Sequence, residues 1–177
     1  MTTAILILIG MMWFPVALSL LGHGEARGTG FITLVVGGLV LITATIQAAL
    51  FKDFITTGLL YIHGVFYCMV GYTFMVGPED SRPMGNVALT TAIGSTIYAI
   101  FFAVGGPLVE GTALWAASKY LTIMAVIYAI LTYEVFAVAY GWLSAKVLAY
   151  CLVLGVIFSL WIPAFSLLAW GKLPFGW

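Results

Sequence analysis

The chain alternates long apolar runs with short polar or Gly/Pro punctuation. A helix that crosses a bilayer needs about 20 mostly apolar residues. Six stretches meet that length, at about 3–21, 30–51, 54–77, 86–104, 113–138 and 147–170. The first ends in Gly22-His23-Gly24-Glu25-Ala26-Arg27-Gly28. Lys52-Asp53 closes the second, a turn so short that spans two and three must be antiparallel neighbours. Pro78-Glu79-Asp80-Ser81-Arg82-Pro83 separates three from four, and Gly105-Gly106-Pro107 with Glu110-Gly111-Thr112 turns the chain from four to five. The sixth follows Lys146 and ends at Trp170, ahead of Lys172 and a tail of Pro174, Phe175, Gly176 and Trp177. The pattern predicts an all-α polytopic membrane protein with six transmembrane helices, a single membrane domain over 1–177. The first run lacks a basic leading segment and stays apolar from Ala4 to Leu21, longer than the roughly 7–15 residues of a signal-peptide core. It is read as a retained span.

Composition excludes the soluble alternative. Of 177 residues 64% are hydrophobic and 7% charged, against roughly 25% charged in a soluble domain. Six basic and six acidic side chains can decorate the short connections of a bundle but cannot coat a globule in water. A formal net charge of +0 excludes a basic nucleic-acid surface. Cys68 and Cys151 sit in apolar runs as small hydrophobes, and His23 and His63 show no ligand spacing with them, so no metal or other cofactor is expected. Arg27, Arg82 and Lys146 fall in connections one, three and five, Lys52 and Lys172 on the other side. That bias predicts the odd connections inside and both termini outside.

Charges inside the spans are the first candidates for chemistry, because an ionisable group at membrane depth is costly. Lys119 lies near a span end, where it can snorkel. Glu134 is deeper, and at fifteen residues from Lys119, roughly 22 Å of helical rise, cannot pair with it. It either serves a function or bonds structurally. His63 is the one imidazole at membrane depth, either a neutral bonded side chain or, with Glu134, part of a proton relay. Thr91, Ser95 and Tyr98 share one face of span four, where they either line a pore or bond neighbouring helices and their own i−4 carbonyls. Gly37, Gly38, Ala44 and Ala48, with Ala125 and Ala129, permit close helix approach. Pro163 and Pro15 leave the carbonyls of Ser159 and Met11 without their helical amide. Ser159, Pro163 and Ser166 share a face of span six. No nucleophile–base set, phosphate loop or pair of carboxylates appears, and the chain is not read as an enzyme.

Val36-Gly37-Gly38-Leu39 in span two, Thr57-Gly58-Leu59-Leu60 opening span three, Arg82-Pro83 before span four and Trp161-Ile162-Pro163-Ala164 in span six resemble the bacterial AmiS/UreI amide and urea channels. The order and spacing of these motifs carry the likeness over almost the whole chain. It implies a homo-hexamer in the bacterial inner membrane, each protomer a compact bundle of three two-helix hairpins with its own pore. Small neutral amides or urea would be the permeants, moving down their gradient with membrane lipid as the only other partner. The resemblance further implies a narrow slot lined by Leu6, Ile9 and Trp13 from span one, Tyr61 and Val65 from span three, and Met124 and Tyr128 from span five. Met124, Tyr128 and Val65 replace larger aromatics of the urea channels, and their acidic residue on the last span falls near Gly155. The slot would therefore suit acetamide-like permeants. Connections Lys52-Asp53 and Gly105–Thr112 hold no histidine, which argues against acid gating. Glu134 lies about 120° around the helix from Tyr128 and is assigned to helix–helix or inter-protomer bonding. Thr91, Ser95, Tyr98 and Ser159 remain possible polar contacts of the pore. The alternatives are a proton-coupled transporter using Glu134 and His63, and a membrane scaffold without transport.

Overall fold

A computed structural model describes residues 2–109, 112–113 and 115–174. Glu110 and Gly111 of the fourth connection and Phe175–Trp177 of the tail lie outside the described residues. The helices are α1 (Thr2–Leu20), α2 (Ala26–Phe51), α3 (Phe54–Val76), α4 (Arg82–Val104), α5 (Lys119–Ala139) and α6 (Ala145–Trp170). All six are long and apolar enough to cross a membrane. The 23 residues of α3 rise about 34 Å, which matches a hydrocarbon core of about 30 Å. Apart from helices, the described residues form one antiparallel ribbon of β1 (Leu108–Val109) and β2 (Thr112–Ala113).

Local chemistry moves several boundaries. α2 begins four residues before the apolar run because Glu25 caps it, its carboxylate accepting from the amides of Gly28 at 2.6 Å and Arg27 at 2.8 Å. Those two donors hold the Glu25 carboxyl below its ordinary pKa. α4 starts at Arg82, with Pro83 pre-set for a first helical turn. Fifteen to twenty residues of hydropathy cannot see the start of α5. The apolar run predicts span five from about 113, but the helix begins at Lys119 under a Ser118 cap. The apolar residues before it are held as loop, with Trp115 Nε1 donating to Phe101 O at 3.0 Å and the amides of Gly106 and Ser118 bonding Trp115 O and Phe102 O. Lys119 is thus an exposed residue at a helix end.

The helices close into a ring in chain order, α1 packing against both α2 and α6. The hairpins α2–α3 and α4–α5 make the most extensive contacts, and the third close pair joins the two ends of the chain, α1 and α6. Small residues set these distances. Along α2 and α3, Gly30 faces Gly71 and Gly37 faces Gly64, so close that a methyl at Gly71 would lie 2.6 Å from the amide nitrogen of Leu34. Without a hydrophobic drive between helices in lipid, such backbone approach is what holds them. Gly38 plays no part in the seam, since a methyl there would meet nothing. Between α1 and α6 the same logic is reciprocal: the Trp161 indole lies over Gly10, and Trp13 lies over Gly155. Large apolar side chains on the outer surface, among them Phe31, Leu50, Ile100 and Leu168, suit contact with lipid tails.

The Pro163 carbonyl problem has a definite solution. α6 opens into a π turn over Val156–Trp161 just before the proline. Ser159 O, which a proline at 163 cannot serve, accepts instead from the Tyr120 hydroxyl of α5 at 3.2 Å. The kink and a cross-helix bond are one feature.

Candidate functional site

Inside the ring, the first, third, fifth and sixth helices converge on an aromatic waist. Trp13 meets Tyr128 edge-on at 5.3 Å between ring centroids, and His63 lies 4.6 Å from Tyr128 and 5.8 Å from Tyr67. All four side chains are buried. A cavity of about 30 Å³ sits among them, with Phe66, Leu131, Thr132, Val135 and Leu152 completing its wall. A second, of about 80 Å³, shares Trp13, Phe66, Tyr67, Val135 and Leu152 and extends past Val70 and Val16 to Leu20, Phe74, Met84 and Leu148. Since a cavity needs about 10–15 Å³ to hold one water, each can hold water. The second cavity thus lies between the waist and the end of the bundle that carries connections one, three and five. Beyond the waist, Leu6, Ile9, Tyr120 and Met124 are packed into the hydrophobic core.

Among the described residues, no carboxylate, lysine or arginine lines either cavity. Polarity at the waist comes from neutral groups. The Nδ1 of His63 donates to Leu59 O at 2.9 Å, since a carbonyl can only accept, which leaves Nε2 unprotonated in the neutral ring. Ser95 Oγ lies 3.3 Å from that Nε2 and donates to Thr91 O at 2.8 Å. His63 is thus held by a backbone carbonyl of its own helix. Thr132 turns its hydroxyl back to Tyr128 O and Ala129 O. Tyr67 is different: its hydroxyl is buried and makes no hydrogen bond of normal geometry, with only a looser approach by Trp13.

The expected lining residues divide. Leu6, Ile9, Trp13, Met124 and Tyr128 face the interior, with Trp13 and Tyr128 at the waist itself. Tyr61 and Val65 do not: they are 38% and 55% exposed on the outer side of α3, and Tyr61 Oη bonds Thr45 of α2 at 2.9 Å. Two residues along a helix is about 200° of rotation. A helix with Tyr61 turned inward would therefore turn away His63, Phe66, Tyr67 and Val70, which lie on the buried face. Their i, i+3, i+4, i+7 spacing, anchored on His63, was the signal that could have found them. Thr91 bonds Val87 O and lines neither cavity, as Ser95 does not. Tyr98 turns its hydroxyl onto Gly58 and borders an outer hollow with Lys52, Asp53 and Trp115. Ser159 bonds Gly155 O and lines a groove between α5 and α6. Glu134 lines neither cavity; one carboxylate oxygen approaches the Cys151 thiol of α6 and the other is buried without a hydrogen bond.

Two solved structures resemble this chain. A cryo-EM structure of the Helicobacter pylori urea channel in its closed state superposes with a TM-score of 0.81 at 19% identity, covering 98% of this chain and 100% of that one. A crystal structure of the H. pylori urea channel gives a TM-score of 0.78 at 19% identity, again covering 98% and 100%. At this identity the likeness is one of fold. No curated protein matches. The family model described as AmiS/UreI family transporter matches residues 1–170.

Proposed function

The chain belongs to the AmiS/UreI family, and from that premise we propose that it is a passive channel for small neutral amides, acetamide-like compounds or urea, with one pore through each protomer. The observation that carries this reading is the waist: aromatic walls, neutral polar atoms and, among the described residues, no fixed charge, beside a second cavity that shares five of its lining residues inside a closed helical ring. An amide that sheds water there must replace only a few hydrogen bonds. A bare ion meets a desolvation penalty of tens of kcal/mol in the limit of an apolar medium, with no ring of charges to offset it. Selection against ions and protonated amines follows from what the lining lacks, and selection by size from the spacing of Trp13 and Tyr128.

The protein works as a homo-hexamer in the bacterial inner membrane with its termini outside, and performs no catalysis. The outer apolar surface, which includes Tyr61 and Val65, is available for lipid or neighbouring protomers. A proton-coupled mechanism would need Glu134 and His63 on one route. Glu134 lines neither cavity, so the passive reading is preferred. Glu134 is assigned to bonding between helices or protomers.

Stopped-flow swelling of proteoliposomes in formamide, acetamide, propionamide and urea tests the proposal. Permeabilities well above those of empty liposomes, unaffected by an uncoupler, are expected. Rates equal to the lipid background for all four solutes would refute a channel, and collapse with an uncoupler would refute passive transport.

A further inference from the structure

The waist contains one donor that the protein itself leaves unused. Tyr67 is 1% exposed and borders both cavities, yet its hydroxyl has no hydrogen bond of normal geometry. The group nearest to serving it is the Trp13 indole. An indole N–H can only donate, so in that approach the phenolic oxygen is the acceptor and the phenolic proton still lacks a partner. Among the described residues, no side chain supplies one. His63 gives its Nδ1 proton to Leu59 O and turns Nε2 toward Ser95, Thr132 bonds backbone carbonyls, Phe66, Leu131 and Leu152 are apolar, and Tyr128 makes no hydrogen bond to the Tyr67 hydroxyl. Buried hydroxyls are nearly always satisfied, and an exception inside a cavity calls for an occupant.

We infer that the Tyr67 hydroxyl, backed by Trp13, is the donor that receives the carbonyl oxygen of a permeating amide at the waist. This rests on the channel reading and specifies its chemistry: the preferred permeant is a neutral solute with a strong oxygen acceptor, recognised through that acceptor more than through its N–H groups. A single bond of this kind is weak enough to release the solute onward and strong enough to rank solutes, because one neutral hydrogen bond changes occupancy by about 2- to 10-fold.

The test compares acetamide with thioacetamide and urea with thiourea in stopped-flow proteoliposome assays, subtracting the empty-liposome rate. Within each pair the N–H donors are the same, and only the acceptor changes from oxygen to weakly accepting sulfur. In the unaltered protein the oxygen compounds should pass about 2- to 10-fold faster. Tyr67→Phe keeps the ring against Phe66 and His63 and removes only the orphan oxygen. It should bring the oxygen-to-sulfur ratio down toward that set by size alone, chiefly by slowing the oxygen compounds. A ratio unchanged by Tyr67→Phe overturns the inference. So do equal rates within each pair for the unaltered protein, a result that does not depend on the variant folding. If none of the four solutes exceeds the lipid background, the channel reading falls and takes this inference with it.

Discussion

Gly37 and Gly38 are adjacent in α2, identical in sequence chemistry and opposite in consequence. A methyl added at Gly37 would stand 2.8 Å from the amide nitrogen and from the sulfur of Cys68 and 3.1 Å from Gly64 O. One added at Gly38 would touch nothing within 4 Å. Ordinary contact begins near 3.4 Å. Gly37→Ala must therefore push α2 and α3 apart by about 0.6 Å, against backbone atoms that cannot rotate away, a strain in the overpacking range of about 1–3 kcal/mol. Both substitutions share the gain of about 0.4–1 kcal/mol from a less flexible unfolded chain. That gain cancels between them, so the difference in stability isolates the clash: Gly38→Ala should be the more stable variant by about 1–3 kcal/mol. Equilibrium unfolding in mixed micelles of mild detergent and SDS, followed by circular dichroism, measures it. Equal stabilities, or a Gly38→Ala protein weaker than Gly37→Ala, would refute the account of the seam.

Tyr120→Phe should destabilise the protein by about 1–2 kcal/mol, because it strips the donor from a carbonyl that Pro163 already leaves unserved. In a Pro163→Ala background, where residue 163 regains an amide, the same substitution should cost measurably less in the same unfolding assay, and a cost independent of Pro163 would separate the two features. Glu25 and Asp80 have folded-state pKa values below their ordinary 4.5 and 3.8, the first through the amides of Gly28 and Arg27, the second through Arg82. The stability they confer is present above those values and is lost as pH falls toward the folded ones. Glu25→Gln should flatten the decline in stability below pH 4.5, and an unaltered acid limb would argue against the cap. Val65→Ala should leave acetamide and urea permeability within about 2-fold of the unaltered protein, since Val65 faces outward; a larger change in the swelling assay would restore Val65 to the lining.

The number, length and order of the helices were legible because hydropathy over about 20 residues is nearly all a bilayer demands of a span. The boundaries were less so where polar capping, not hydropathy, decides them. Glu25 lies in a stretch that reads as loop, yet its carboxylate starts α2 four residues early, and Trp115 reads as span while its indole pins it as loop. Small residues told where helices could approach but not which of them do. Gly37 and Gly38 carry the same composition signal, and only rotation about the helix axis separates a seam from a lipid-facing surface.

Rotation also decided what could be read of the site. A soluble helix reports its orientation through an apolar stripe opposite a polar one, whereas a membrane helix is apolar all round and leaves only its few polar groups as bearings. On α1 and α5 the resemblance supplied that bearing, and Trp13, Met124 and Tyr128 fall inside the ring. On α3 it pointed to Tyr61 and Val65, while the chain's own strongest bearing was His63, an imidazole that lipid would not tolerate unpaired. Placing His63 inward, against Ser95, carries Phe66, Tyr67 and Val70 with it and turns Tyr61 out to Thr45. The residue that lipid would penalise most fixes the helix, and fixing the helix brings to the waist a buried hydroxyl that no described residue satisfies. For a bundle with so few polar groups, working out where each buried one must find a partner orients the helices more surely than matching their apolar residues to those of a relative.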